Sequence, residues 1–245
     1  MSSTTAQPDK EPGLGFSVYR SVLTQYWPMT VYVLAYTAVG MALGAYIGSF
    51  DITLAVLLLA ALWLGLEGLH AIDLADEGVA TRVDSTIGES LGWAQVALGG
   101  LVGVWIAYLT TWLFLIFVAF ELFLGLAYNK EWFGGVLHDW DTKTGLANFS
   151  LAWGGIPALT GFFVMSGTVT VGMVLVAIGI MFDAARLLSL FEASKPVPYQ
   201  DRHIEHTREY NRTPEWLTEQ MHSRNMLNLI AWVFVAAGLT VMFVL

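Results

Sequence analysis

Apolar residues gather into long runs, at 29–50, 52–72, 91–110, 111–128, 148–166, 168–190 and 226–245, separated by polar connections of very unequal length. At a rise of about 1.5 Å per helical residue, such runs are of the length that crosses a hydrocarbon core of about 30 Å. Lipid offers the backbone no hydrogen-bond partners, so a crossing segment must satisfy its own N–H and C=O groups. The runs therefore predict helices rather than open strands. The expected fold is all-α: a polytopic transmembrane helical bundle of about seven spans, one domain over 29–245, with a polar N-terminal arm at 1–28. The third and fourth runs nearly touch and predict a tight turn near Thr110 and Thr111. Pro157 predicts a kink in the fifth run, because it brings no backbone donor. Thr213, Pro214 and Glu215 predict the start of a short helix ahead of the seventh run.

The polar connections place the charge on one side. Three are long, at about 73–90, 129–147 and 191–224. Together with the arm and the adjoining span ends they hold all 11 Lys and Arg residues and all five His. The connections on the other side are short and hold one charge, Asp51. Cytoplasmic loops retain Lys and Arg, so the arm and the long loops are expected in the cytoplasm of a multi-pass cell-membrane protein, with the C-terminus opposite. Composition agrees: 13% of residues are charged, where soluble domains carry roughly 25%, and the mean hydropathy is +0.61. No charged segment with a short apolar core opens the chain, so no cleavable signal is expected. The absence of cysteine excludes disulfides and thiolate ligands, and a net charge of −9 leaves no basic surface for nucleic acid.

Chemistry is expected at the cytoplasmic mouth of the bundle. Span two closes with Glu67, His70 and Asp73, and on a continuing helix His70, Asp73, Glu77 and Asp84 fall within roughly 60° of one another. Such a stripe is either a solvated acidic helix end or an oxygen-rich cation site, since carboxylates this close repel unless a cation lies among them. Glu67 lies deep in its span, where a charge costs about 2.5–3.5 kcal/mol and turns toward the bundle interior. Asp183 and Arg186, three apart in span six, read as a mutually neutralising pair or as a metal ligand beside an anion-binding Arg. Glu121 in span four is expected as a hydrogen-bonded structural carboxyl. After span four, Lys130, His138 and Lys143 accompany Tyr128, Trp132 and Trp140, a mixture that suits a diphosphate entering from the interface and suits membrane anchoring equally. Asp139 and Asp141 read as loop charges. His203 and His206 read as a solvated pair for want of a third ligand. Small residues such as Gly99, Gly100, Gly103, Gly154, Gly155, Gly161 and Gly172 let helix backbones approach.

Between Gly145 and Gly167 the chain sets out Asn148, Gly154-Gly155, Ile156-Pro157-Ala158-Leu159, Gly161 and Ser166-Gly167, preceded by Tyr128 and Lys130. In these residues, and in the order of an acidic end to span two, a basic-aromatic loop after span four and an acid near the end of span six, the chain resembles the UbiA superfamily of intramembrane prenyltransferases over about residues 20–192. The resemblance implies a helical bundle with a cytoplasmic-side cavity, where two Asp-rich motifs hold Mg²⁺ against a polyprenyl diphosphate. Of the first motif, NDxxDxxxD, Asp73 and Asp76 stand in place, Ile72 replaces Asn and Ala80 replaces the third acid, with Glu77 and Asp84 as substitutes. Of the second, DxxxD, Asp183 remains and Leu187 takes the other position.

The expected function is Mg²⁺-dependent transfer of a prenyl group from a polyprenyl diphosphate to a lipid or aromatic acceptor. Asp73, Asp76 and Asp183 are the expected catalytic acids. Asp73, Asp76, Glu77, Asp183 and His70 are the expected metal ligands, and Lys130, Lys143, Arg186, Tyr128 and Asn148 the substrate-binding residues. The rivals are a non-catalytic membrane subunit or lipid-binding protein, with a protein complex as partner, and a metal-carboxylate oxidase built on Glu67-x-x-His70 with Glu121.

Overall fold

The computed structural model describes residues 27–76, 85–130, 132–133, 151–194 and 214–244. The described residues are helical, and no strand occurs among them. In chain order the α-helices are α1 (Trp27–Ile47), α2 (Ile52–Asp76), α3 (Ser85–Leu109), α4 (Phe114–Asn129), α5 (Ile156–Ser166), α6 (Val171–Ser194) and α7 (Pro214–Phe243). A π-helical turn, Leu151–Gly155, leads into α5. Four helices contain stretches long and apolar enough to cross a membrane: Met29–Ile47, Ile52–Asp73, Thr86–Leu109 and Asn225–Phe243. Their outward faces show large apolar side chains, Trp105, Trp232 and Val233 among them, as suits surfaces that lipid covers.

Helix ends differ from the apolar runs where the backbone has no reason to stop. α2 continues through Asp76, because nothing after Ile72 interrupts its i→i−4 bonding. Likewise α7 runs unbroken from Pro214, so the short helix and the seventh run are one element. Residues 215–225 contain no Gly or Pro to separate them. Asp51, between α1 and α2, has a local role. Its Oδ1 accepts the backbone N–H groups of Thr53 at 2.8 Å and Leu54 at 3.1 Å, closing the start of α2. The turn between α3 and α4 is tight, with the Phe114 N–H donating to the Thr111 carbonyl at 2.9 Å. Pro157 is the second residue of α5, one residue beyond the π-turn. Its ring removes the donor that the Trp153 carbonyl, four residues back, would take in a regular helix, and the wider turn accommodates this.

Three helix pairs pack most closely: α1 with α5, α2 with α3, and α6 with α7. Glycine makes the closeness available. A Cβ on Gly68 would lie 2.7 Å from the Gly92 carbonyl oxygen, and a Cβ on Gly92 would lie 2.7 Å from that of Gly68. Such contact favours association in lipid, where dispersion rather than hydrophobic burial drives helices together. α4 has no partner of this kind and touches α2, α3 and α5 more lightly. Gly92→Val should therefore push α2 from α3 and destabilise the protein by about 1–3 kcal/mol, the usual cost of overpacking. Thermal unfolding in detergent, followed by circular dichroism, will show this as a lowered Tm.

Candidate functional site

The light packing of α4 leaves a cavity. It is lined from α2 by residues between Leu58 and Leu69, from α3 by Val96, Gly99, Gly100 and Gly103, and from α4 by Phe114, Val118, Glu121, Leu122, Gly125 and Asn129. Val33, Trp153 and Pro157 complete the wall. From Leu58 to Leu69 the cavity follows α2 for about 16 Å. Its volume is about 80 Å³. The cavity forms a slot between α2, α3 and α4. Gly65 shapes it, since a Cβ there would meet nothing within 4 Å. Glu121 is the one ionisable side chain among its described lining residues, and its Oε1 accepts the Thr160 hydroxyl of α5 at 2.6 Å.

A polar cluster caps the slot at the end where α2 and α4 finish. The His70 ring stacks on the Trp153 indole, centroids 5.2 Å apart and planes 20° from parallel. Tyr128 meets the same indole edge-on at 6.3 Å. Trp153 stands where the π-turn aims it, packed with Met29, Val33 and Leu66. Glu67 is 1% exposed; its Oε1 accepts the Thr30 hydroxyl at 2.8 Å, while its Oε2 has no hydrogen-bond partner. Asn129, placed by its sequence at the start of a loop, is instead the last residue of α4 and is buried. Its Nδ2 donates to the Gly125 carbonyl at 2.7 Å, and its Oδ1 has no hydrogen-bond partner.

The sequence-derived site residues divide between two places. His70, Asp73 and Tyr128 belong to the polar cap, with Asp73 buried in the last turns of α2. Lys130 follows α4 and turns to α3, with its Nζ 3.4 Å from Glu89 Oε1 and 5.9 Å from the centre of the Trp93 ring. Asp183 and Arg186 lie apart on α6. Arg186 Nε and Nη2 both donate to Asp183 Oδ1, at 3.1 and 2.8 Å, and the Tyr36 hydroxyl of α1 donates to Oδ2 at 2.8 Å. The π-turn stands between the two groups: Trp153 reaches α2, while Gly154 packs on Ile180 and Ala184 of α6. Asp76 ends α2, and its side chain lies outside the described residues, as do Glu77, Lys143 and Asn148. Among the described residues no three His, Cys, Asp or Glu side chains converge to hold a metal.

Thr30, Tyr36 and Thr160 each donate a hydroxyl to a carboxyl on another helix, and none of the three stands out among the candidate site residues of the sequence. A hydroxyl inside an apolar run was the available signal. No protein-family model matches the chain, and no curated protein or solved structure matches it.

The Asp183 group is a brace that can be tested apart from any activity. Asp183→Leu leaves the Arg186 cation without its carboxylate and should destabilise the protein by about 1–3 kcal/mol, less than a fully buried pair because both side chains keep some exposure. Asp183→Leu with Arg186→Leu should recover most of that loss. Unfolding of the single and double variants, read as a double-mutant cycle, measures the coupling.

Proposed function

We propose that this chain is a UbiA-like multi-pass membrane protein whose slot takes the hydrocarbon chain of a prenyl lipid substrate. In this reading all seven helices cross the bilayer, the long loops face the cytoplasm, and the polar cap lies at the cytoplasmic mouth. The observation that carries the reading is the slot itself: lined almost wholly by apolar residues of α2, α3 and α4, with buried polar groups gathered near the end where α2 and α4 finish. The proposed activity is transfer of a prenyl group from a polyprenyl diphosphate to an acceptor, with release of pyrophosphate. Mg²⁺ belongs to the proposal as the counter-charge to the diphosphate, at the α2 end where Asp73, Asp76 and Glu77 follow one another. Asp183 is left out of this reading, since Arg186 neutralises its charge on α6 and Tyr36 donates to its other oxygen.

That same engagement of Asp183 favours a second reading, in which the bundle binds a prenyl lipid without transferring it. Pyrophosphate release separates the two. The purified protein is incubated with a series of prenyl diphosphates and a native lipid extract, with and without Mg²⁺. Release that needs Mg²⁺ and disappears in Asp73→Asn supports transfer, whereas Mg²⁺-indifferent binding without release supports the carrier.

Gly65→Leu tests the slot directly. The new side chain enters open space on a helix that gains propensity from losing glycine, so Tm should hold or rise while prenyl-lipid binding falls by at least about tenfold. Undiminished binding would place the lipid elsewhere.

A further inference from the structure

The mouth of the slot carries a chemical signature finer than its apolar walls. Asn129 is 5% exposed and lines the slot. One face of its amide is spoken for by the Gly125 carbonyl, 2.7 Å away. A carbonyl oxygen only accepts, so the atom facing it must be the NH₂ group, and the orientation of the amide follows from chemistry alone. The carboxamide oxygen is thereby left buried with no hydrogen-bond partner among the described residues. A buried acceptor in that condition is costly unless something donates to it.

The rest of the lining narrows what that donor is. About 12 Å deeper along α4, at two helical turns' remove, the ionisable group is Glu121, again an oxygen group and already taking the Thr160 hydroxyl through one oxygen. No Lys, Arg or His is among the described lining residues. Lys130, next in sequence to Asn129, directs its ammonium to Glu89 and the Trp93 ring on α3. Phosphate and carboxylate oxygens are acceptors, and at Asn129 Oδ1 they would meet another acceptor with no cation among the described lining residues to compensate. A plain hydrocarbon would leave the oxygen unpaired.

We infer that the lipid in the slot carries a neutral hydrogen-bond donor at its polar end, a hydroxyl group, which donates to Asn129 Oδ1 while its chain runs between α2, α3 and α4 toward Phe114. This rests on the slot reading above and assigns the slot to a long-chain alcohol rather than to the diphosphate. In a transfer reaction the alcohol is then the acceptor, and the diphosphate approaches from outside the slot. The alcohol oxygen bonds the allylic carbon as that carbon's bond to the diphosphate breaks, and the departing pyrophosphate takes up the hydroxyl proton. Asn129 is a specificity-determining residue in this account: it selects a donor at one point and leaves the chain to apolar contact.

The test compares three probes on the full chain in detergent: farnesol, farnesyl methyl ether and farnesyl diphosphate. The ether keeps the chain and the oxygen and loses only the donated proton. Wild type should bind the alcohol about tenfold more tightly than the ether, as one buried hydrogen bond provides. Asn129→Leu should bring the alcohol down to the ether's affinity and leave the ether's own affinity intact, which also shows that the variant is folded and its slot open. Asn129→Asp should keep the preference at a pH where its carboxyl is protonated, because its hydroxyl then replaces the amide NH₂ against the Gly125 carbonyl and its other oxygen still accepts. Equal affinity of wild type for alcohol and ether overturns the inference, as does a preference that survives in Asn129→Leu. Binding of the diphosphate alone overturns it and leaves the slot reading standing. Failure of all three to bind overturns both.

Discussion

Backbone-to-backbone contact at glycine is the constraint on which the other features depend. α1 with α5, α2 with α3, and α6 with α7 close to distances that admit no Cβ, and the positions of these pairs leave α4 to fill the remaining space. It fills that space incompletely. Gly65 and Gly100 present no side chain to α4, and the slot is the volume they leave. The small residues thus act in two opposite ways, joining helices where two backbones meet and holding them open where a backbone faces the α4 side chains.

Polar groups then fix how the pairs sit against one another. Thr30 with Glu67, Thr160 with Glu121, and Tyr36 with Asp183 and Arg186 each connect different helices or brace one against its neighbour. In an apolar surrounding such bonds have no water to compete with them, and an unmade one leaves a polar atom stranded. The hydroxyl partners sit at heights set by helix packing, so each bond forms only if the apolar contacts have been made correctly. Where a polar atom has no protein partner, as at Asn129 Oδ1, the same reasoning points to a ligand.

Trp153 connects the fold to the site. Pro157 withdraws one donor from the helix, the π-turn takes up the resulting mismatch, and the indole turns toward α2, where His70 stacks on it and Tyr128 meets it edge-on. The turn that presents Trp153 to α2 also packs Gly154 on α6. It therefore stands between the α2 acids and Asp183, which the sequence pattern alone had grouped as one metal-binding set.

Apolar run length determined the helices, and the turn at Thr110 could be read directly, because hydropathy and backbone satisfaction act locally along the chain. The sequence also marked Glu67, Glu121 and Asp183 as acids requiring a partner, since a carboxyl within an apolar run is costly wherever the run packs. It did not determine which hydroxyl would supply that partner, nor that Arg186 and Tyr36 together would occupy Asp183. Those pairings depend on helix rotation and height, which are properties of packing between segments distant in sequence. The slot belongs wholly to the tertiary structure: glycines that join helices and glycines that leave space are the same residue in a sequence, and only the placement of a neighbouring helix distinguishes them.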